Sequence, residues 1–215
     1  MAGEIPMVIL AKSLKHGGYC IAGKSLEQKI WVRLVGDENG AAILNEDCMV
    51  AFGSKRPYNS RILQNVRVPI IKKAPLLNQP ENFIIDKGKI WIQSYKTKLT
   101  DLVYFLDFPN DLWGREDFIF HSDIISQNTI IQSLFLIQAK DVLLYSNNYK
   151  DKKRRRVKFL YNNITYDFAC TDPNFDNFNN RYFNDAILCI SLGETYREKH
   201  FKIVASIIVD DNKIL

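Results

Sequence analysis

Apolar residues in this 215-residue chain fall into short runs, each about the length of a strand and each stopped by Gly, Pro, Asn or a polar turn. That spacing constrains the fold more than any motif, because a chain built of helices shows a sustained 3.6-residue period instead. Met7 to Leu10 and Tyr19 to Ala22 are joined through Gly17-Gly18, and Ile30 to Val35 follows a polar turn, which reads as a β-meander. Ala41 to Phe52 is open between a short helix and a strand. Ile62 to Ile71 is β-rich, with Pro69 at an edge or bulge. Ile84-Ile85 and Ile90 to Ile92, around Lys87-Gly88-Lys89, suggest a further hairpin. Leu99, Leu102, Val103 and Leu106 recur at helical spacing, with Thr100-Asp101 as the start and Phe108-Pro109 as the stop. DLWGREDFIF is loop-like and places a domain boundary between 110 and 130.

The second half repeats the pattern. Leu134 to Ile137 and Val142 to Tyr145 are apolar runs. Val157 to Tyr161 and Ile164 to Phe168 flank Asn162-Asn163, a tight hairpin because Asn tolerates positive φ. Asp172 to Asn184 is a Phe/Asn-rich loop, and Ile187 to Leu192 and Phe201 to Val209 close the chain as strands. Each half offers about five strands and at most one helix. The expected fold is therefore mainly β with minor α: two small OB-like Greek-key barrels in tandem, over 1–115 (with a helix near its end) and 130–215. A single larger sandwich is the alternative.

Hydrophobic residues are 47% and charged residues 25%, an ordinary globular balance, and the net charge is +5. Cys20, Cys48, Cys170 and Cys189 form no CxxC pair, and His16, His121 and His200 lie far apart, so no metal site is expected. MAGEIPMVILAKS lacks a charged segment ahead of a long apolar run and does not read as a signal peptide. No stretch approaches the roughly 18 apolar residues that cross a bilayer. The expectation is a cytoplasmic protein with reduced thiols, no cofactor and no membrane partner.

The sharpest local feature is Lys150-Asp151-Lys152-Lys153-Arg154-Arg155-Arg156-Val157-Lys158, where seven of nine residues are basic. A like-charge block is tolerated when solvent or a polyanion faces it. Such density can neutralise several phosphates by counterion release; a solvated hairpin that binds nothing is the plain alternative. Tyr145, Tyr149, Phe159, Tyr161 and Tyr166 interleave with it, either to stack on bases or as core. Lys12, Lys15 and His16 surround the glycine turn, where exposed N–H groups can cradle a phosphate. Trp31 and Arg33 share a strand face, with Trp31 in the core as the simpler reading. The candidate nucleic-acid-binding set is thus Lys12, Lys15, His16, Arg33, Lys152, Lys153, Arg154, Arg155, Arg156, Lys158 and Tyr161.

Two other classes compete. A hydrolytic or small-ligand role would use His16 with an acidic partner such as Asp172, with Glu194 and His200 as further polar candidates. No GxSxG, HExxH or P-loop is present, so no catalytic residue is assigned. The acidic stretch Asp107, Asp111, Glu116, Asp117 is explained by a loop. A protein-interaction adaptor would use Thr171 to Phe183, a segment that could equally cover a barrel end.

Met7 to Gly23 followed by Trp31-Val-Arg33 resembles the N-terminal signature of the bacterial dual OB-containing domain family. Gln79-Pro80-Glu81-Asn82 with Trp91, Lys153 to Val157 with Thr171-Asp172-Pro173, and Leu188 to Glu194 with His200 to Ala205 resemble its later segments. Leu34 and Thr195 stand where the family pattern has proline. The resemblance implies two fused OB-like barrels and a nucleic-acid-binding role, in some cases linked with mobile elements or phage conflict.

Overall fold

The computed structural model describes residues 3–127, 130–150, 152–178 and 180–209. The chain divides into two compact units, Met1–Phe105 and Leu106–Leu215.

In the first unit, β1 (Gly3–Lys15) turns at His16 and Gly17 into β2 (Gly18–Ser25), which pairs with β3 (Trp31–Val35). His16 at φ 44° and Gly17 at φ 82° give the left-handed pair that matches hairpin twist. A bulge in β1 between Ile9 and Ala11 brings Gly23 against it so closely that a Cβ would lie 1.8 Å from the Val8 carbonyl oxygen. The sheet continues through β6 (Gln64–Lys73) and β7 (Asn82–Ile85). β3 pairs with β7 in parallel, β7 with β6 antiparallel, and β6 with β1 antiparallel, so the five strands close in the order β1-β2-β3-β7-β6. Met7, Ile9, Ile21, Val32, Leu34, Val66, Val68 and Ile85 fill this barrel. Three short strands lie outside it: β4 (Met49–Ala51), β5 (Tyr58–Asn59) and β8 (Trp91–Lys96), paired as β6-β8-β4-β5.

The second unit has the same connectivity. β10 (Leu134–Tyr149), β11 (Lys152–Tyr161), β12 (Ile164–Cys170), β13 (Tyr182–Tyr196) and β14 (Lys199–Ile208) pair antiparallel, except that β12 and β14 close the ring in parallel. In strand order both rings read 1-2-3-5-4-1, the OB arrangement. β9 (Phe118–Phe120) adds to β14 and leads into α1 (His121–Gln127). Inward residues alternate along β11 and β12 as Val157, Phe159, Tyr161 and Tyr166, Phe168, Cys170. Asn162 and Asn163 sit at φ 47° and 60°, the expected hairpin.

Several expectations change. The division falls at Phe105/Leu106, ahead of 110: the Asp107 amide donates to the Leu136 carbonyl, the Leu136 amide donates to the Asp107 carboxylate, and Leu112 is fully buried in the second core. Leu99–Phe105 is a 3-10 segment, tighter than an α-helix, and the one α-helix among the described residues, α1, follows the loop-like stretch, within the 110–130 region where only a boundary was expected. β7 and β8 do not form a hairpin: both run antiparallel to β6, along different parts of it. Leu134 to Tyr145 is one strand, because Asp141 at φ 50° absorbs the irregularity as a bulge. β13 begins at Tyr182, which shortens the Phe/Asn loop.

Candidate functional site

The β10–β11 hairpin is longer than its barrel requires. Register runs from Lys140↔Leu160 to Tyr149↔Lys152, so the two strands project as a ribbon. Because Val157 and Phe159 point inward, period-2 alternation puts Lys152, Arg154, Arg156 and Lys158 on the outward face. Lys152, Arg154 and Lys158 are exposed there, Lys152 about 6.8 Å from Arg154 along the strand and Lys158 about twice as far beyond. Lys150 is exposed at the ribbon turn at φ 47°. Asp151 and the side chain of Tyr149 lie outside the described residues.

Arg156 is held differently. Its Nε donates to Asp167 Oδ1 at 2.9 Å and its Nη2 to the Asp167 carbonyl at 2.5 Å, while Tyr145 donates its hydroxyl to Asp167 Oδ2. Burial and the Asp167 carboxylate push the Tyr145 phenol above its usual range. On the opposite face Arg155 and Lys153 both reach Asp176, and the Arg155 guanidinium lies 5.9 Å from the Phe175 ring. Lys153, Arg155, Asp176 and Cys170 line an open concavity of about 380 Å³. Burial pushes the Cys170 thiol up to about 12, so it stays protonated at neutral pH.

Burial removes two members of the expected set. Tyr161 is 8% exposed and donates to the Pro109 carbonyl at 2.9 Å. Phe159 and Tyr166 are core as well, so the ribbon face is basic with little aromatic surface. Arg33 is 2% exposed, paired with Glu81 at 3.4 Å and with the Cys20 sulfur at 3.2 Å, and cannot meet a ligand. Lys24, on the same side of that barrel, is 3% exposed and donates to the Phe105 carbonyl. The first barrel's β2–β3 side is therefore closed by Glu81 and the Leu99–Phe105 segment.

At the β1–β2 hairpin, Lys12 is half-buried, donates to the Ser60 carbonyl at 3.0 Å and lies 4.1 Å from the Tyr19 ring. Burial holds its ammonium below the ordinary lysine value. Lys15 donates to the Gly40 carbonyl. His16 is exposed at the tip of the turn. Both lysines therefore brace loops of their own barrel. A second open concavity in this unit, about 400 Å³, lies between β5, the start of β6 and β8, with Lys55, Arg61 and Lys96 on its wall. No sequence signal marks it, because its cations are scattered over forty positions and only the added strands gather them.

A family model described as the dual OB-containing domain matches residues 5–207. The chain belongs to that family. Comparison with curated proteins gives no match. Among solved structures, the crystal structure of the tetrameric p202 HIN2 is 11% identical, covering 96% of this chain and 92% of that one. Its TM-score of 0.36 is too low to carry an argument.

Several polar residues in the segments that resemble the dual OB-containing family are buried and bonded. Arg33, Glu81, Gln79 and Asn82 stitch β3 to the loop before β7. Asp172, 2% exposed, accepts from the Asn174 and Ile207 amides, so the loop after β12 is tied to β14; burial raises its carboxyl above the usual range. Phe175 in that loop is fully buried against the second core. His200 is fully buried between the Gly193 carbonyl, Thr195 and His121, and burial keeps its imidazole below the usual value. Lys202, 1% exposed, donates to the Gly114 and Glu116 carbonyls, and burial lowers it to about 8. Among the described residues no group of three or more His, Cys, Asp or Glu is placed to hold a metal, and no helix is long and apolar enough to cross a membrane.

Proposed function

We propose that this dual OB-containing protein binds nucleic acid without catalysis, through the outward face of the β10–β11 ribbon. The observation that carries the reading is the row Lys152, Arg154 and Lys158, exposed on a projecting hairpin of an OB barrel. That hairpin is the connection between the barrel's first and second strands, and OB folds bind oligonucleotides on strands 2–3 and at this loop. The cations hold phosphates, and affinity is bounded by how many they neutralise. Tyr145 and Leu143 lie on the same face, opposite Arg156 and Lys158, and offer the little apolar surface available there. Lys153, Arg155 and Arg156 fix the ribbon through Asp176 and Asp167, so they shape the surface more than they contact a ligand.

The setting we propose is the bacterial cytoplasm, in conflict with phage or mobile elements; the family resemblance supports the bacterial and conflict setting, and the four free thiols support a reducing compartment. Binding of the full chain to labelled single-stranded and duplex DNA and RNA at low salt tests the reading. Retention of at least one of these probes, weakening as salt rises, is the expected result. No binding to any of them at 20 mM salt would sink it.

A further inference from the structure

The concavity of the first unit has features that neither barrel closure nor the ribbon explains. β4, β5 and β8 lie outside the five-strand ring, and residues of β5 and β8 line an open depression of about 400 Å³, a volume within the usual range of small-ligand pockets. Lys55 precedes β5, Arg61 precedes β6, and Lys96 ends β8 directly opposite Gln64. All three cations are exposed, and the lining contains no acidic side chain. Among the described residues none of the three forms an ion pair with a carboxylate.

Three like charges around one depression repel each other, and this arrangement is stabilised when an anion sits among them. The floor is rigid. Tyr58 donates to Gln93 Oε1 at 2.6 Å, Gln64 Nε2 donates to the same oxygen at 2.6 Å, and Gln64 Oε1 accepts from the Arg61 amide at 2.7 Å. The Arg61 backbone is thus fixed by a side chain that is itself 4% exposed. An arginine whose backbone is held in place, flanked by two lysines, suits a phosphoryl group, which takes bidentate donation from Arg and point charges from Lys.

We infer that this depression is a phosphate-binding site of the first barrel, in which Arg61, Lys55 and Lys96 hold a phosphoryl group of a nucleic-acid backbone. The polymer source rests on the nucleic-acid reading above, whereas the phosphoryl chemistry does not. A free phosphate ester would offer the same group.

The test uses the full chain labelled with ¹⁵N and two probes, inorganic pyrophosphate and the single strand dT10, observed at the side-chain amides of Gln64 and Gln93. Both probes should shift these signals in the wild type. In R61A/K96A the pyrophosphate Kd read from these shifts should rise about tenfold or more, and the salt slope for dT10 should flatten by roughly 1.4, two contacts at about 0.7 each. The ribbon variant K152A/R154A/K158A should keep the pyrophosphate shifts. Shifts with pyrophosphate but not with dT10 would overturn the nucleic-acid source and assign a free phosphate ester. Absence of shifts with both probes, or an unchanged pyrophosphate Kd in R61A/K96A, would overturn the site itself. Because pyrophosphate does not depend on the ribbon, failure of the ribbon reading and failure of this one are separable.

Discussion

Comparing Arg156 with its neighbours separates a ribbon that contacts phosphate from one that merely contains charge. Five of its basic residues are continuous in sequence, but the structure divides them. Lys152 and Arg154, with Lys158 further along, face solvent, whereas the Arg156 side chain is 20% exposed and held by Asp167. In K152A/R154A/K158A three phosphate contacts are lost. The slope of log K against log salt should then flatten by about 2.1 on a single strand and about 2.7 on duplex, at roughly 0.7 and 0.9 per contact. Between 50 and 200 mM salt the wild type should therefore lose about 20-fold more single-strand affinity than the variant. These residues are exposed, so the melting temperature should barely move. R156A should do the reverse. Its loss leaves Asp167 with Tyr145 as its side-chain partner and costs about 1–2 kcal/mol after allowance for partial exposure, or roughly 4–8 °C in the second unit, while the slope changes by less than one contact. Fluorescence anisotropy across a salt series, paired with thermal melts, reads both quantities. Equal slopes for R156A and the triple variant, or an unchanged slope in the triple variant, would refute the division of roles.

Other outcomes follow from the buried groups. Lys202 has a folded-state value of about 8, below the ordinary 10.5, so this group makes the second unit gain stability as pH rises from about 8 to 10.5; the gain is no more than about 3 kcal/mol, and K202M should remove it from urea midpoints compared over that window. His200 is lowered as well, so its neutral form is favoured in the fold and stability falls as pH drops below about 6.5. H200Q should flatten that acid-side loss, and an identical pH profile in the variant would count against it. G23A forces a Cβ onto the Val8 carbonyl across the β1 bulge and should cost the first unit several kcal/mol, about 3 or more; a melting temperature within 2 °C of wild type would show that the bulge can relax.

What the sequence determined by itself is local. Period-2 alternation placed Val157, Phe159 and Tyr161 on one side of a strand, and the Asn162-Asn163 turn followed from the few residues that accept positive φ. Short runs with frequent turn signals left barrels as the economical way to bury them, and the family signatures spread along the chain pointed to two. Tertiary structure decided which charges are available. Arg33 and Lys158 look alike in sequence, each basic within a β-rich run, but Glu81 and the Leu99–Phe105 segment close over Arg33's barrel face while nothing described covers Lys158. Whether a cation is spent on its own protein depends on a carboxylate or carbonyl tens of residues away, as with Lys202 and Gly114, or Lys12 and Ser60. The phosphate-sized depression is likewise invisible to a reading along the chain, because Lys55, Arg61 and Lys96 are gathered only when the β8-β4-β5 extension is added to β6. Local patterning therefore set the strands and their faces, and long-range pairing set which of their polar groups remain exposed to a partner.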